Sequence, residues 1–133
     1  MATAPMLPLV LLVDDFEDSR MVYAEYLTHL GYRVIHAADG GDALAQARRL
    51  LPDVIVMDLE LPVLDGLAAT RALKGDARTR GIRIIALTGR VGDARSRQVR
   101  EAGCDGLLTK PCRPGALLAA LRAVLSGGTI PAF

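Results

Sequence analysis

The sequence predicts a doubly wound α/β domain, a five-stranded parallel sheet with helices on both faces. Two observations carry this. Five short apolar runs alternate with five longer stretches of helical spacing, and each run is apolar nearly throughout, as a strand buried on both faces requires. The third observation is functional: four of the five runs stop at an acid, a hydroxyl or a lysine, and in such sheets ligands bind outside the carboxyl ends of the strands.

Taken in order, Val10 to Val13 forms the first strand and Asp14-Asp15 closes it. Asp18 to Leu30 is a helix with Met21, Val22, Tyr26 and Leu30 at helical spacing, ended by Gly31. Val34 to His36 is the second strand. Asp39 caps a helix over about 41–51 whose Ala43, Leu44, Ala47 and Leu50 share a face, and Pro52-Asp53 leads into the strand Val54 to Met57. Residues 60–65 make a loop. A helix from Gly66 to Lys74 and the polar turn "GDARTRG" precede the run Ile82 to Leu87, which ends in "TGR". The segment "VGDARSRQVREAG" is helical in propensity but charged around much of its circumference, so a loose surface position is expected. Leu107 to Thr109 is the last strand, and Pro114 suits the first turn of a helix reaching Leu125. Residues 1–125 thus read as one domain; 126–133, "SGGTIPAF", read as a tail or the start of a linker, and no output domain is expected in this chain.

A chain of 133 residues suits a single domain with a substantial core. Sixteen basic residues against fifteen acidic ones leave a charge of +1, so no whole-chain field points to direct nucleic acid binding or an anionic membrane. The opening "MLPLVLLV" lacks the basic start and small-residue cleavage site of a signal peptide, and no apolar run approaches the ~20 residues of a membrane span. Cys104 and Cys112 lack metal-ligand spacing and read as reduced thiols of a cytoplasmic protein.

The strand ends carry the chemistry. With strand order 2-1-3-4-5, the first and fourth strands flank the third at roughly 4.8 Å, so Asp58 faces both Asp15 and Thr88. Lys110 starts about 10 Å away, a distance its long stem can largely cover. Converging carboxylates repel and call for a cation; all-oxygen donors favour Mg²⁺, with Mn²⁺ possible, over zinc. A carboxylate nucleophile, a divalent metal, a hydroxyl and an ammonium around one point suit uptake of a phosphoryl group on Asp58.

The set "VDD" at 13–15, "MDLELPVLDG" at 57–66, "ALTG" at 86–89 and "TKP" at 109–111 resembles the receiver domain of bacterial response regulators, in particular single-domain chemotaxis-type regulators. The resemblance spans nearly the whole chain and implies the flavodoxin-like receiver fold. It implies that Asp58 is the phosphoacceptor for a sensor histidine kinase or histidine phosphotransfer protein. Asp15, Asp58 and the backbone carbonyl of Glu60 would bind Mg²⁺ directly, and Asp14 through water. Thr88 and Lys110 would contact the phosphoryl group beside Gly89, and the Lys110–Pro111 peptide would be cis. The output would be a switched protein-binding surface for a downstream target or effector domain, with the protein a monomer or a phosphorylation-dependent dimer. Such a domain is regulatory, not an enzyme, although it assists its own phosphorylation and dephosphorylation.

Three departures from the family pattern stand out, the third a pair of residues. Leu107 stands where similar domains often carry Tyr or Phe. Gly89 follows the threonine where alanine is common, which suggests room for phosphate and a more flexible loop. Glu60 and Arg90 overlook the phosphate, are placed to pair with each other, and are candidates for tuning how fast water reaches it. An alternative is a Mg-dependent phosphatase or phosphotransferase of the haloacid-dehalogenase type, but that class wants Asp and Thr where Glu60 and Pro62 stand. A flavodoxin-like cofactor site lacks its Gly-rich loop, since "DDFEDS" follows the first strand. His29, His36, Tyr23, Tyr26 and Tyr32 read as structural or surface residues. The arginines from 78 to 100 read as a solvated face, with docking of an acidic partner the sharper possibility.

Overall fold

A computed structural model describes residues 7–61 and 64–127; the expected tail from 128 onward, the first six residues, and Pro62 and Val63 lie outside the described residues. The chain runs β1 (Leu9–Val13), α1 (Glu17–His29), β2 (Arg33–Ala37), α2 (Gly40–Leu50), β3 (Val54–Asp58), α3 (Gly66–Lys74), β4 (Arg83–Thr88), α4 (Asp93–Ala102), β5 (Gly106–Thr109) and α5 (Pro114–Leu125). All neighbouring strands pair in parallel, in the order β2-β1-β3-β4-β5, as the alternating pattern predicts.

Strand alternation divides the core between the two faces of the sheet. Leu11, Val13, Ile55, Met57, Ile84 and Ala86 pack with residues of α2, α3 and α4. Val10, Leu12, Val54, Val56, Ile85 and Leu87 pack with α1 and α5. This is why the strands read as unbroken apolar runs: neither face meets water. Leu121 of α5, fully buried in the second cluster, tests its contribution. Leu121→Ala is expected to lose about 2–5 kcal/mol in urea unfolding with an unchanged slope.

Helix ends follow local chemistry. The side chain of Asp39 accepts from the Asp42 N–H at the start of α2, and that of Asp65 from the Ala68 N–H at the start of α3. Two expectations fail. In α1 and at its C-cap, Met21, Val22 and Leu30 are exposed, Met21 and Val22 at 50% and 55%; the helix instead buries Ala24 and Leu27, with Tyr23 and Tyr26 packed beside them. This helix is apolar on several sides, so periodicity does not choose the face that docks. The charged helix α4 is not loosely attached either. It buries Val99 and Ala102 against the first cluster, because two small apolar positions one turn apart suffice to seat it.

The chain has two lysines, and the structure separates their roles. Lys74 donates to the carbonyl oxygens of Arg80 and Ile82 and pairs with Asp105 at 3.2 Å, which also receives Arg83 and the Ile84 N–H. It ties α3 to the edge of the sheet. Lys110 is left for the opposite end of the strands.

Candidate functional site

Strand register assembles the site. Val13 lies opposite Met57 and Asp58 opposite Leu87, so Asp14, Asp58 and Thr88 emerge together at the carboxyl end of the sheet. Thr88 pairs with Thr109, and the Lys110 N–H donates to the Thr88 carbonyl, which brings the lysine to the same edge. The Lys110–Pro111 peptide is cis, as expected.

Asp58 is only 1% exposed. Its Oδ2 accepts from Lys110 Nζ at 2.9 Å and its Oδ1 from the Glu60 N–H at 3.0 Å, so both carboxylate oxygens have fixed donors. Burial pushes the Asp58 pKa upward, and the nearby Asp14 adds to this; Lys110 and the Glu60 N–H pull back without cancelling it. Burial lowers the Lys110 pKa, but Asp58, Asp14 and Glu60 outweigh it and hold the ammonium above its ordinary value.

Asp14 and Asp15 complete an acidic group. Asp14, Asp15 and Asp58 each offer a carboxylate oxygen, all within 4.8 Å of one another. Asp14 is buried and its Oδ1 accepts from the Phe16 N–H, whereas Asp15 is exposed. Three carboxylates without nitrogen or sulfur donors fit a hard divalent cation, whose charge offsets their repulsion.

Glu60 sits differently from the sequence expectation. Its Oε1 accepts from the Thr88 hydroxyl and from the Gly89 N–H, each at 2.8 Å. Its ionic partner is Arg95 of α4, at 3.7 Å, and not Arg90. Arg90 contributes its backbone N–H to Thr88 Oγ1, while its side chain stands exposed on the rim of a cleft lined also by Asp15, Glu60, Asp65 and Arg95. The first turn of α4 passes over the end of β4, so the residue seven after Thr88 reaches the glutamate. Arg95 therefore does not belong to a solvated arginine face: its side chain is only 12% exposed. The signal available in the sequence was a cation in the first turn of a helix, where the dipole disfavours it unless an anion lies near.

The remaining expected positions are also placed. A Cβ built on Gly89 would meet Glu60 Oε1 at 3.7 Å, an ordinary contact, so alanine fits and the space argument for glycine is not needed. Leu107 is half-buried and packs against the first core cluster. The two cysteines are free thiols; Cys104 is buried and its pKa is pushed up to about 11 by desolvation.

An acidic cluster beside a buried aspartate, a lysine and a threonine at the switch point of a 2-1-3-4-5 sheet defines a class of phosphorelay receiver. Residues 10–122 match the response regulator receiver domain, and the chain belongs to that family. Its members act in phosphorelay signalling with histidine kinases or phosphotransfer proteins and downstream targets, as regulatory domains. Among similar proteins, Protein PilH of Pseudomonas aeruginosa is 36% identical over 118 residues, covering 89% of this chain and 98% of that one. The chemotaxis response regulator CheY4 of Vibrio cholerae superposes with a TM-score of 0.84 at 33% identity, over 89% of this chain and 98% of that chain. The receiver domain of the sensor histidine kinase PA1611 of P. aeruginosa, solved with a magnesium ion coordinated in its active site cleft, gives a TM-score of 0.83 at 36% identity, over 90% and 98%.

Proposed function

We propose that Asp58 accepts a phosphoryl group from a phosphohistidine of a sensor kinase or phosphotransfer protein, and that the aspartyl phosphate switches a protein-binding surface. The observation that carries this reading is the Asp58 carboxylate, buried at a strand end with Lys110 Nζ 2.9 Å from Oδ2 and two further carboxylates beside it. A carboxylate oxygen forms the new bond to phosphorus as the bond to the imidazole nitrogen breaks, its electrons leaving with the imidazole. Lys110 and the Glu60 N–H hold the carboxylate in one orientation for that attack.

Asp15, Asp58 and the Glu60 carbonyl would hold Mg²⁺, or Mn²⁺, with Asp14 acting through water. The ion, when bound, supplies positive charge against the carboxylates and the incoming phosphoryl oxygens. Thr88, Gly89 and Lys110 are the donors for the phosphoryl group. Through them the domain assists its own phosphorylation and dephosphorylation, while Glu60 and Arg90 on the approach tune the hydrolysis rate. Leu107 is an altered switch position, without the ring that similar domains often carry there. The protein acts in the cytoplasm, as a monomer or a phosphorylation-dependent dimer, on a downstream protein or effector domain and without direct contact to nucleic acid. Among the described residues no helix is long and apolar enough to cross a membrane.

The test is intact mass after incubation with a small-molecule phosphodonor and Mg²⁺. One phosphoryl adduct is expected, lost with a chelator and lost in Asp58→Asn. An adduct that persists in Asp58→Asn would sink the assignment.

A further inference from the structure

Thr88 has no spare hydrogen-bonding capacity for a newcomer. A hydroxyl offers one proton and two lone pairs. Here the proton goes to Glu60 Oε1 at 2.8 Å, while Oγ1 accepts from the Arg90 N–H at 3.1 Å and from Arg95 Nε at 3.4 Å. The Gly89 N–H is likewise spent on Glu60 Oε1. A glutamate carboxylate therefore occupies the hydroxyl and the amide that a phosphoryl group on Asp58 would use.

We propose that Glu60 is an internal anion that a phosphoryl group on Asp58 displaces, and that Arg95, released by it, becomes a second cationic ligand of the phosphoryl group alongside Lys110. This deepens the acceptor reading above and rests on it. Phosphorylation replaces the single carboxylate charge of Asp58 with the roughly −1.5 to −2 of a phosphate, in a site that already holds Asp14 and Asp15 and whose cleft Glu60 lines with Asp15, so Glu60 is repelled as its partners gain a stronger acceptor. Arg95 is placed for the exchange. Its guanidinium already spans Thr88 Oγ1, Glu60 Oε2 and Gln98 Oε1, so it has donors directed both into the site and along α4. It occupies the third position of α4, where the helix dipole disfavours a cation; Asp93 in the same turn and Glu60 in front of the helix are the anions that offset this. Moving Arg95 from Glu60 to phosphate pulls directly on the first turn of α4, giving a route from Asp58 to that helix that does not need an aromatic ring at Leu107.

The sign of one measurement decides the matter. Beryllofluoride with Mg²⁺ serves as a stable phosphoryl mimic, its affinity read by NMR titration on the Gly89 amide and the Arg95 side chain. If Arg95 only anchors Glu60, Arg95→Ala weakens the competitor and tightens beryllofluoride binding. If Arg95 is a phosphoryl ligand, Arg95→Ala weakens binding by about tenfold, Arg95→Lys recovers part of it, and the loss grows in a Glu60→Gln background. Glu60→Gln alone tightens binding several-fold. Alanine and lysine both favour helix, so α4 is retained, and circular dichroism verifies this. Unchanged or tighter binding in Arg95→Ala, with the wild type loading normally, overturns the proposal alone. A wild type that takes up neither beryllofluoride nor phosphoryl group removes the acceptor reading, and this proposal with it.

Discussion

Asp58→Asn is expected to melt several degrees above the wild type at neutral pH in metal-free buffer, a gain on the scale of about 1 kcal/mol. The wild type confines a charged carboxylate to a site 1% exposed, beside Asp14 and Asp15, with Lys110 as its ion-pair partner. Asparagine keeps the shape and an acceptor for Lys110, and removes the repulsion. Lys110, about one-third exposed, retains access to water when its partner is neutral. The pH dependence has a definite sign. Because the folded-state pKa of Asp58 is raised, mainly by burial, the folded protein holds the proton to higher pH than the unfolded chain. Wild-type stability therefore falls relative to the variant as pH rises from the ordinary carboxylate value through the raised one, and below that window the difference closes. Thermal melts from acid to neutral pH measure this directly, and Mg²⁺ is expected to narrow the gap by binding the wild type preferentially. A variant less stable at neutral pH would mean that the Lys110 pair outweighs burial and repulsion.

Gly66→Ala is expected to lose about 2–3 kcal/mol and to impair phosphoryl uptake with it. A Cβ at Gly66 would run into the Asp58 carbonyl oxygen and crowd Leu59 Cα at 2.9 Å. Both are backbone, and neither can swing aside as a side-chain end would. The first residue of α3 is held there by the Asp65 cap and by its own N–H on the Leu59 carbonyl. The strain must then be relieved by moving either α3 or the chain that carries Asp58. Gly115→Ala in α5 is the control, since nothing lies within 4 Å of its Cβ position; its urea midpoint is expected to change little. Equal midpoints for the two variants would refute the close-packing argument.

The sequence by itself determined the sheet and the four strand ends that carry Asp14, Asp15, Asp58, Thr88 and Lys110. Contiguous apolar runs and the groups that stop them are local features, and a doubly wound sheet converts position at a strand end into position in one cleft. The docking face of α1 was not legible, because Met21 and Val22 compete with Ala24 and Leu27 along a helix apolar on several sides, and the sheet chooses between them. The partner of Glu60 was not legible either. Proximity in sequence to Thr88 suggested Arg90, yet a side chain's partner depends on where the next helix passes, and α4 brings Arg95 back over the strand end. Tertiary structure alone decided these two matters, since contacts between elements far apart in sequence are set by packing and register, which no local period encodes.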